Sequence, residues 1–198
     1  GVRVYASIDE IVADPRVDLV VVVVNREAVG EVVRRIAHRG LPILCEKPPG
    51  RDGPEARELA GLVRSPNVVA FNRRYLPLMH RLAEALQGTD SVRFAECRFW
   101  RRGRDVAPFI TETGIHGLNL LEHFCGPAVE VQVERHAIPG TETFNWSVSL
   151  CFAGACRGFA TFFPMAGESR ETYVLHGSGY TATLDLGLHH TDTSRSSL

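Results

Sequence analysis

The sequence predicts an α/β protein: a parallel sheet with helical crossovers, followed by an α+β half with an open, mostly antiparallel sheet. Three observations predict it. Residues 17–24 form a β-branched run that is apolar on both sides, as in a central strand of a parallel sheet covered on both faces. Helix-like and strand-like segments alternate up to about residue 75. Beyond that point long alternating strands follow one another without intervening helices.

The elements read in order as follows. Ser7 and Glu10 have the spacing of a capping box ahead of Ile11 and Val12, so a short helix starts there, and Asp14-Pro15 ends it. The run 17–24 is the first strand. Ala28, Val29, Val32, Val33, Ile36 and Ala37 recur at helical spacing with Arg34, Arg35 and Arg39 outside, and Gly40 caps that helix. Residues 42–45 are a second strand, 55–63 a second helix opened by Pro54, and 68–71 a third strand. In the second half, 78–86 and 112–124 are helical and 92–100 is a strand. Phe144, Trp146, Val148, Leu150 and Phe152 alternate with Asn145, Ser147, Ser149 and Cys151, the pattern of a half-buried strand. Residues 156–163 form a further strand, and Ala182, Leu184, Leu186 and Leu188 alternate likewise. The polar end, 189–198, reads as frayed.

Composition excludes several function classes. With 22 basic and 23 acidic residues the formal net charge is −1, so no basic excess argues for nucleic acid. The longest apolar run is far too short to span a bilayer. Five cysteines at irregular spacing, with no CxxC pair, argue against a disulfide framework or structural zinc and fit a reducing cytoplasm. Arg98, Arg101, Arg102 and Arg104 cluster locally; the pattern reads as a solvated strand end or loop, with an anionic substrate group as the alternative. No Ser-centred nucleophile elbow is present. The nearest approach to a phosphate-binding glycine turn is Gly177-Ser178-Gly179, but strand-like residues follow it, so it reads as a hairpin turn. The chain is therefore expected to enter a doubly wound sheet midway, without the first βαβ unit that grips pyrophosphate, and to bind dinucleotide weakly by itself.

Two segments can carry chemistry. Cys45-Glu46-Lys47-Pro48-Pro49 follows a predicted parallel strand, at the edge where open α/β sheets bind ligands. A lysine there can steady a developing alkoxide; the alternative is a surface lysine in a proline turn. In Thr111-Glu112-Thr113-Gly114-Ile115-His116-Gly117, Glu112 and His116 are four apart and share a helix face. A carboxylate beside an imidazole raises its basicity and fixes its tautomer, which suits a proton shuttle. His123 continues the stripe, but no metal site is expected from this set. The other histidines, His38, His80, His136, His176, His189 and His190, form no usable arrangement.

These segments, in this order, resemble the glucose–fructose oxidoreductase/inositol dehydrogenase (Gfo/Idh/MocA) family. Residues 2–22 resemble its "y.s.eell.d..vD.V.v" stretch, 41–48 its "hVlcEKP" signature, and 70–77 its "gfnrRy.P" strand end. Residues 112–126 resemble "D.G.H..D.l....G" and 173–186 its "v.G..G.l.ld" hairpin. The resemblance implies a Rossmann-like cofactor domain, here partial, over 1–75 and an α+β substrate and oligomerisation domain over 76–198. It implies NAD or NADP and hydride transfer at a sugar or cyclitol hydroxyl or carbonyl. Lys47 then lies near nicotinamide and substrate, Pro48 follows a cis peptide bond, His116 is the acid/base, and Glu112 stands where its partner aspartate would be. Val24, Asn25, Arg26, Glu46, Lys47 and Pro48 are the cofactor-side residues, and Arg74 and Asn119 the substrate-side ones. The chain departs from the pattern where Val24, Asn25, Arg26 and Val29 align with "TPN..H", and where Glu112 and Asn119 replace aspartates. An asparagine cannot act as a base. A homo-oligomer through the strands 144–152 and 156–163, whose outer face carries Phe159 and Phe163, is also expected. The alternative is a non-catalytic member acting as a binding or oligomerising scaffold.

Overall fold

Ser7 opens the first helix as its spacing requires: its Oγ accepts the Glu10 N–H at 3.2 Å, and α1 runs Ile8–Ala13. The Glu10 carboxylate accepts from Ala6 N–H at 3.0 Å, one residue ahead of the reciprocal position in a capping box. The computed structural model describes residues 2–106 and 108–187 of the 198. It divides into two compact units, one ending at Phe71 and the other beginning at Asn72.

In the N-terminal unit, β1 (Val20–Val22), β2 (Ile43–Cys45) and β3 (Asn67–Val69) form a parallel sheet in the order β1-β2-β3. Two helices connect them. Asn25 caps α2 (Arg26–Ala37) by accepting the Ala28 N–H at 3.0 Å, and Asp52 caps α3 (Gly53–Leu62) by accepting the Glu55 N–H at 2.9 Å. Pro54 sits in the first turn of α3, where its missing N–H costs nothing. Gly40 takes φ 68° just past α2, a left-handed turn open to glycine, and its N–H bonds Ala37 O at 3.1 Å.

One core joins Val29, Val33 and Ile36 of α2 and Leu59 of α3 to Val22, Ile43 and Cys45. Fully burying each such aliphatic side chain stabilises the fold by about 1.5–3 kcal/mol. The alternate row, Val21, Leu44 and Val68, remains 51%, 36% and 50% exposed. This corrects the expectation for residues 17–24. Only Val20–Val22 pair, at a sheet edge, and both helices cover the same face, so the opposite face is open among the described residues.

The C-terminal unit begins with a 3₁₀ turn, Asn72–Tyr75, and α4 (Pro77–Ala85). After β4 (Phe94–Trp100) come a π turn, Ile110–Gly114, and α5 (Ile115–Cys125). Strands β5 (Ala128–Ala137), β6 (Phe144–Phe152), β7 (Arg157–Phe163), β8 (Arg170–Gly177) and β9 (Tyr180–Asp185) complete a six-stranded sheet ordered β5-β6-β7-β4-β8-β9. Only β4 and β7 run parallel; the sheet is mostly antiparallel, as its sequence pattern requires. Its core face (Cys97, Phe99, Leu150, Phe162, Tyr173) packs on Leu120 and Leu121 of α5 and Met79 of α4. Gly177 pairs with Tyr180 across a two-residue turn in which Gly179 has φ 80°, so the glycine-rich stretch is a hairpin and not a phosphate loop. Leu188 and the stretch 189–198 lie outside the described residues.

Candidate functional site

The carboxyl edge of the parallel sheet gathers the N-terminal unit's candidates. The Glu46 N–H donates to Val22 O at 2.9 Å, tying the loop after β2 to the end of β1. The two loops carrying Val24, Asn25 and Arg26, and Glu46, Lys47 and Pro48, therefore leave the sheet side by side. Lys47 is partly buried, its N–H donates to the Glu46 carboxylate at 3.2 Å, and the Lys47–Pro48 bond is cis, as the resemblance implies. The side-chain oxygen of Asn25 serves the helix cap. Arg26 donates to Glu27, one residue on, at 3.2 and 3.3 Å. Both loops stand at the carboxyl edge of the strands, where open α/β sheets bind ligands.

In the C-terminal unit the candidates ride on α5 and the turn before it. Glu112 lies in the π turn and His116 in the first turn of α5, buried at 7% exposure. Glycines seat this segment on the sheet. A Cβ at Gly117 would come within 3.0 Å of both Phe162 and Phe99 and 3.2 Å of Cys97 Sγ; one at Gly114 would come within 3.0 Å of Phe162. The Gly114-Ile115-His116-Gly117 sequence thus brings the helix down on β4 and β7 and fixes where His116 starts its stripe. Helical backbone begins at Ile110, ahead of the expected residue 112, because the π turn Ile110–Gly114 precedes α5, and such turns recur at functional sites.

Asn119 and His123 follow His116 at helical spacing, and Arg74 reaches this stripe. Its Nε donates to Asn119 Oδ1 at 2.7 Å and its Nη2 to Asn119 O at 3.3 Å. Partial burial, then the charge of Arg74, push the His123 pKa below the ordinary imidazole value.

Sequence reasoning missed a buried ion cluster beside this stripe. Glu171 is fully buried and accepts from Arg73 Nε at 2.8 Å, Arg73 Nη2 at 3.1 Å, Arg101 Nη2 at 2.8 Å and Tyr173 OH at 3.1 Å. Burial pushes its pKa up, but the two guanidiniums prevail and hold it below the usual carboxylate range. Arg101 is therefore no solvated strand end: it is buried, with its guanidinium 3.9 Å over the Phe99 ring, while Arg98, Arg102 and Arg104 are exposed. Partners 98 and 70 residues apart leave no local sequence signal.

Cys97, Cys125 and Cys156 are buried and their pKa values are raised by desolvation, so they are poor nucleophiles. Among the described residues no group of three His, Cys, Asp or Glu side chains could hold a metal, and no helix is long and apolar enough to cross a membrane.

Comparison with known proteins adds independent findings. A family model described as an oxidoreductase family with an NAD-binding Rossmann fold (GFO_IDH_MocA) matches residues 1–73. The rhizopine catabolism protein MocA of Rhizobium meliloti is 26% identical over 166 residues, covering 80% of this chain and 50% of that protein. A UDP-N-acetylglucosamine 3-dehydrogenase from Acidithiobacillus ferrooxidans superposes with a TM-score of 0.81 at 21% identity, over 92% of this chain and 62% of that one. A levoglucosan dehydrogenase in complex with NADH and L-sorbose superposes with a TM-score of 0.79 at 17% identity, over 91% and 57%. These two likenesses establish the fold. The chain spans about half the length of the MocA relative.

Proposed function

We propose that this chain, which resembles the Gfo/Idh/MocA oxidoreductases and whose residues 1–73 match their NAD-binding Rossmann model, serves hydride transfer between NAD or NADP and a sugar or cyclitol hydroxyl or carbonyl. One observation carries the reading: Lys47 follows β2 at the carboxyl edge of the parallel sheet, beside the loop that leaves β1. Val24, Asn25, Arg26, Glu46, Lys47 and Pro48 would hold the nicotinamide end. Bound NAD(P) supplies the hydride acceptor. His116 takes the hydroxyl proton of a secondary alcohol while its carbon gives up hydride, leaving a ketone. The Lys47 ammonium stabilises the oxygen as negative charge develops on it. Glu112 supports the basicity of His116, and Arg74 and Asn119 hold the substrate.

In the full-length protein, His116→Ala is expected to lower the maximal rate by roughly 10²–10⁴-fold, the usual contribution of general acid–base catalysis. Lys47→Ala is expected to cost about 10²–10³-fold, as loss of one electrostatic donor does. Cofactor affinity should move more for Lys47→Ala than for His116→Ala. Rates of NAD(P) reduction over a polyol panel, with fluorescence titration of NAD(P)H, test this; a variant of either residue with unchanged rate sinks its assignment. Self-association through the open face of the six-stranded sheet belongs to the same proposal, supported by exposed Phe94 and Phe159 on that face. Five unpaired cysteines fit a cytoplasmic setting.

A further inference from the structure

Arg73 and Arg74 are neighbours in one 3₁₀ turn and dispose of their charges in opposite ways. Arg73 is answered by a carboxylate, Glu171, at 2.8 Å. Arg74 donates only to the side-chain and backbone oxygens of Asn119, and both are neutral. Among the described residues no carboxylate lies within ion-pair distance of Arg74. The adjacent cluster does not compensate it, because there Arg73 and Arg101 already share the one carboxylate of Glu171.

The geometry leaves part of the guanidinium available. Arg74 binds Asn119 along its Nε edge, while Nη1 has no acceptor among the described residues and is not sealed in the protein. That leaves the end-on pair of N–H groups, from Nη1 and Nη2, which matches two oxygens of one anionic group. A partly buried cation with neutral partners is costly, and a bound anion offsets the cost. Arg74 also acts electrostatically along α5, since its field contributes to the lowered His123 pKa. Asn119 is three residues after His116 on that helix, so the uncompensated charge is next to the proposed acid/base stripe.

We infer that Arg74 is a specificity-determining residue and that the polyol taken by this protein carries an anionic group, a carboxylate or a phosphate, recognised end-on by its guanidinium. The inference rests on the dehydrogenase reading for the word polyol, and on Arg74 and Asn119 alone for the anion.

The test uses the full-length protein and matched pairs of probes: glucose against glucuronate, and myo-inositol against myo-inositol 1-phosphate. Calorimetry measures binding, and NAD(P) reduction measures turnover. The charged member of at least one pair should bind about ten-fold or more tightly than its neutral partner; which pair responds separates carboxylate from phosphate. Arg74→Gln should weaken the charged probe by roughly 10- to 100-fold, the range for a hydrogen bond to a charged group, and weaken the neutral one by much less, so that the ratio between them collapses. Asn119→Asp keeps the side-chain size and puts a carboxylate where the amide stands. It should pair with Arg74 and abolish the preference without lowering the melting temperature, which guards against mere misfolding of the first variant. Neutral probes bound or oxidised as well as the acids overturn the inference and leave the dehydrogenase reading standing. Acids bound through Arg74 with no polyol oxidised leave the anion site standing and overturn the dehydrogenase reading. An Arg74→Gln variant that loses NAD(P)H instead of the charged probe overturns the inference, and binding of no probe removes both.

Discussion

Glu171 and Glu55 are each buried and each held by two arginines. Glu171 is sealed between Arg73 and Arg101, so Glu171→Ala would leave two guanidiniums facing a void. Breaking a buried pair from one side costs about 3–5 kcal/mol, and urea denaturation should register a loss of that order. A loss under about 1 kcal/mol would mean that water reaches the cluster. Glu55 accepts from the Arg51 N–H at 2.8 Å and from the Arg51 and Arg34 side chains, which draw its pKa down to about 2. A depressed folded pKa means that the unfolded chain binds more protons. The contribution of Glu55 is complete above the ordinary value of 4.5 and is lost as pH falls from there towards about 2. The stability gap between wild type and Glu55→Gln should therefore be wide at neutral pH and narrow in acid; a gap that does not change with pH would sink this account. Neither carboxylate stood out in the sequence. Arg34 and Glu55 are 21 residues apart and meet only because α2 and α3 pack together. Lys47, His116 and Arg74 stand out as candidates because each lies in a short motif whose neighbours carry the signal.

The first helix start was readable because its chemistry is local, Ser7 capping the helix that follows; Asn25 and Asp52 cap α2 and α3 in the same way, and those helices begin two residues ahead of the starts the sequence suggested. The π turn before α5 was not, since it closes through backbone bonds that demand no particular side chain. β5 went unread although Val129, Val131 and Val133 alternate with Glu130, Gln132 and Glu134. All three valines are more than half exposed on an edge strand, so the alternation does not mark the core. At α5, propensity and packing oppose each other. Alanine is favoured over glycine within a helix by about 1 kcal/mol. At Gly117, however, a methyl group meets Phe99, Phe162 and Cys97 at 3.0–3.2 Å, and overpacking costs about 1–3 kcal/mol. Gly117→Ala is expected to be net destabilising in chemical denaturation, whereas Gly61→Ala on α3, where nothing lies within 4 Å, should be neutral or stabilising. The same sign at both sites would show that the seating of α5 on the sheet is looser than these distances.

For the whole molecule, each unit has its own core, one around Ile36 and Ile43 and one around Phe99 and Phe162. The order of motifs along the chain carries the resemblance to the family whose model matches residues 1–73, although any one motif is modest. Periodicity said which face of each long strand is apolar but not what covers the other. On the six-stranded sheet that other face carries Phe94, Phe159, Thr161 and Phe163, with Trp100 stacked on Phe163 at 5.5 Å. Phe94 and Phe159 are 36% and 40% exposed and border a concavity of about 430 Å³ with Glu130, Gln132, Ser149, Cys151 and Arg157. Polar groups among exposed aromatics are the composition of an interface rim and anchor. If two copies meet there about a two-fold axis, every side chain on the face occurs twice in the interface, so one substitution acts twice. Phe159→Glu would then oppose two new carboxylates across the axis and remove two anchors. The dissociation constant of the assembly should rise at least ten-fold for each ~1.4 kcal/mol so lost. Sedimentation at tens of micromolar should find wild type above monomer mass and Phe159→Glu shifted towards it. A wild type that sediments as a monomer removes this surface as a self-association site, and an unshifted variant moves the contact elsewhere on the molecule.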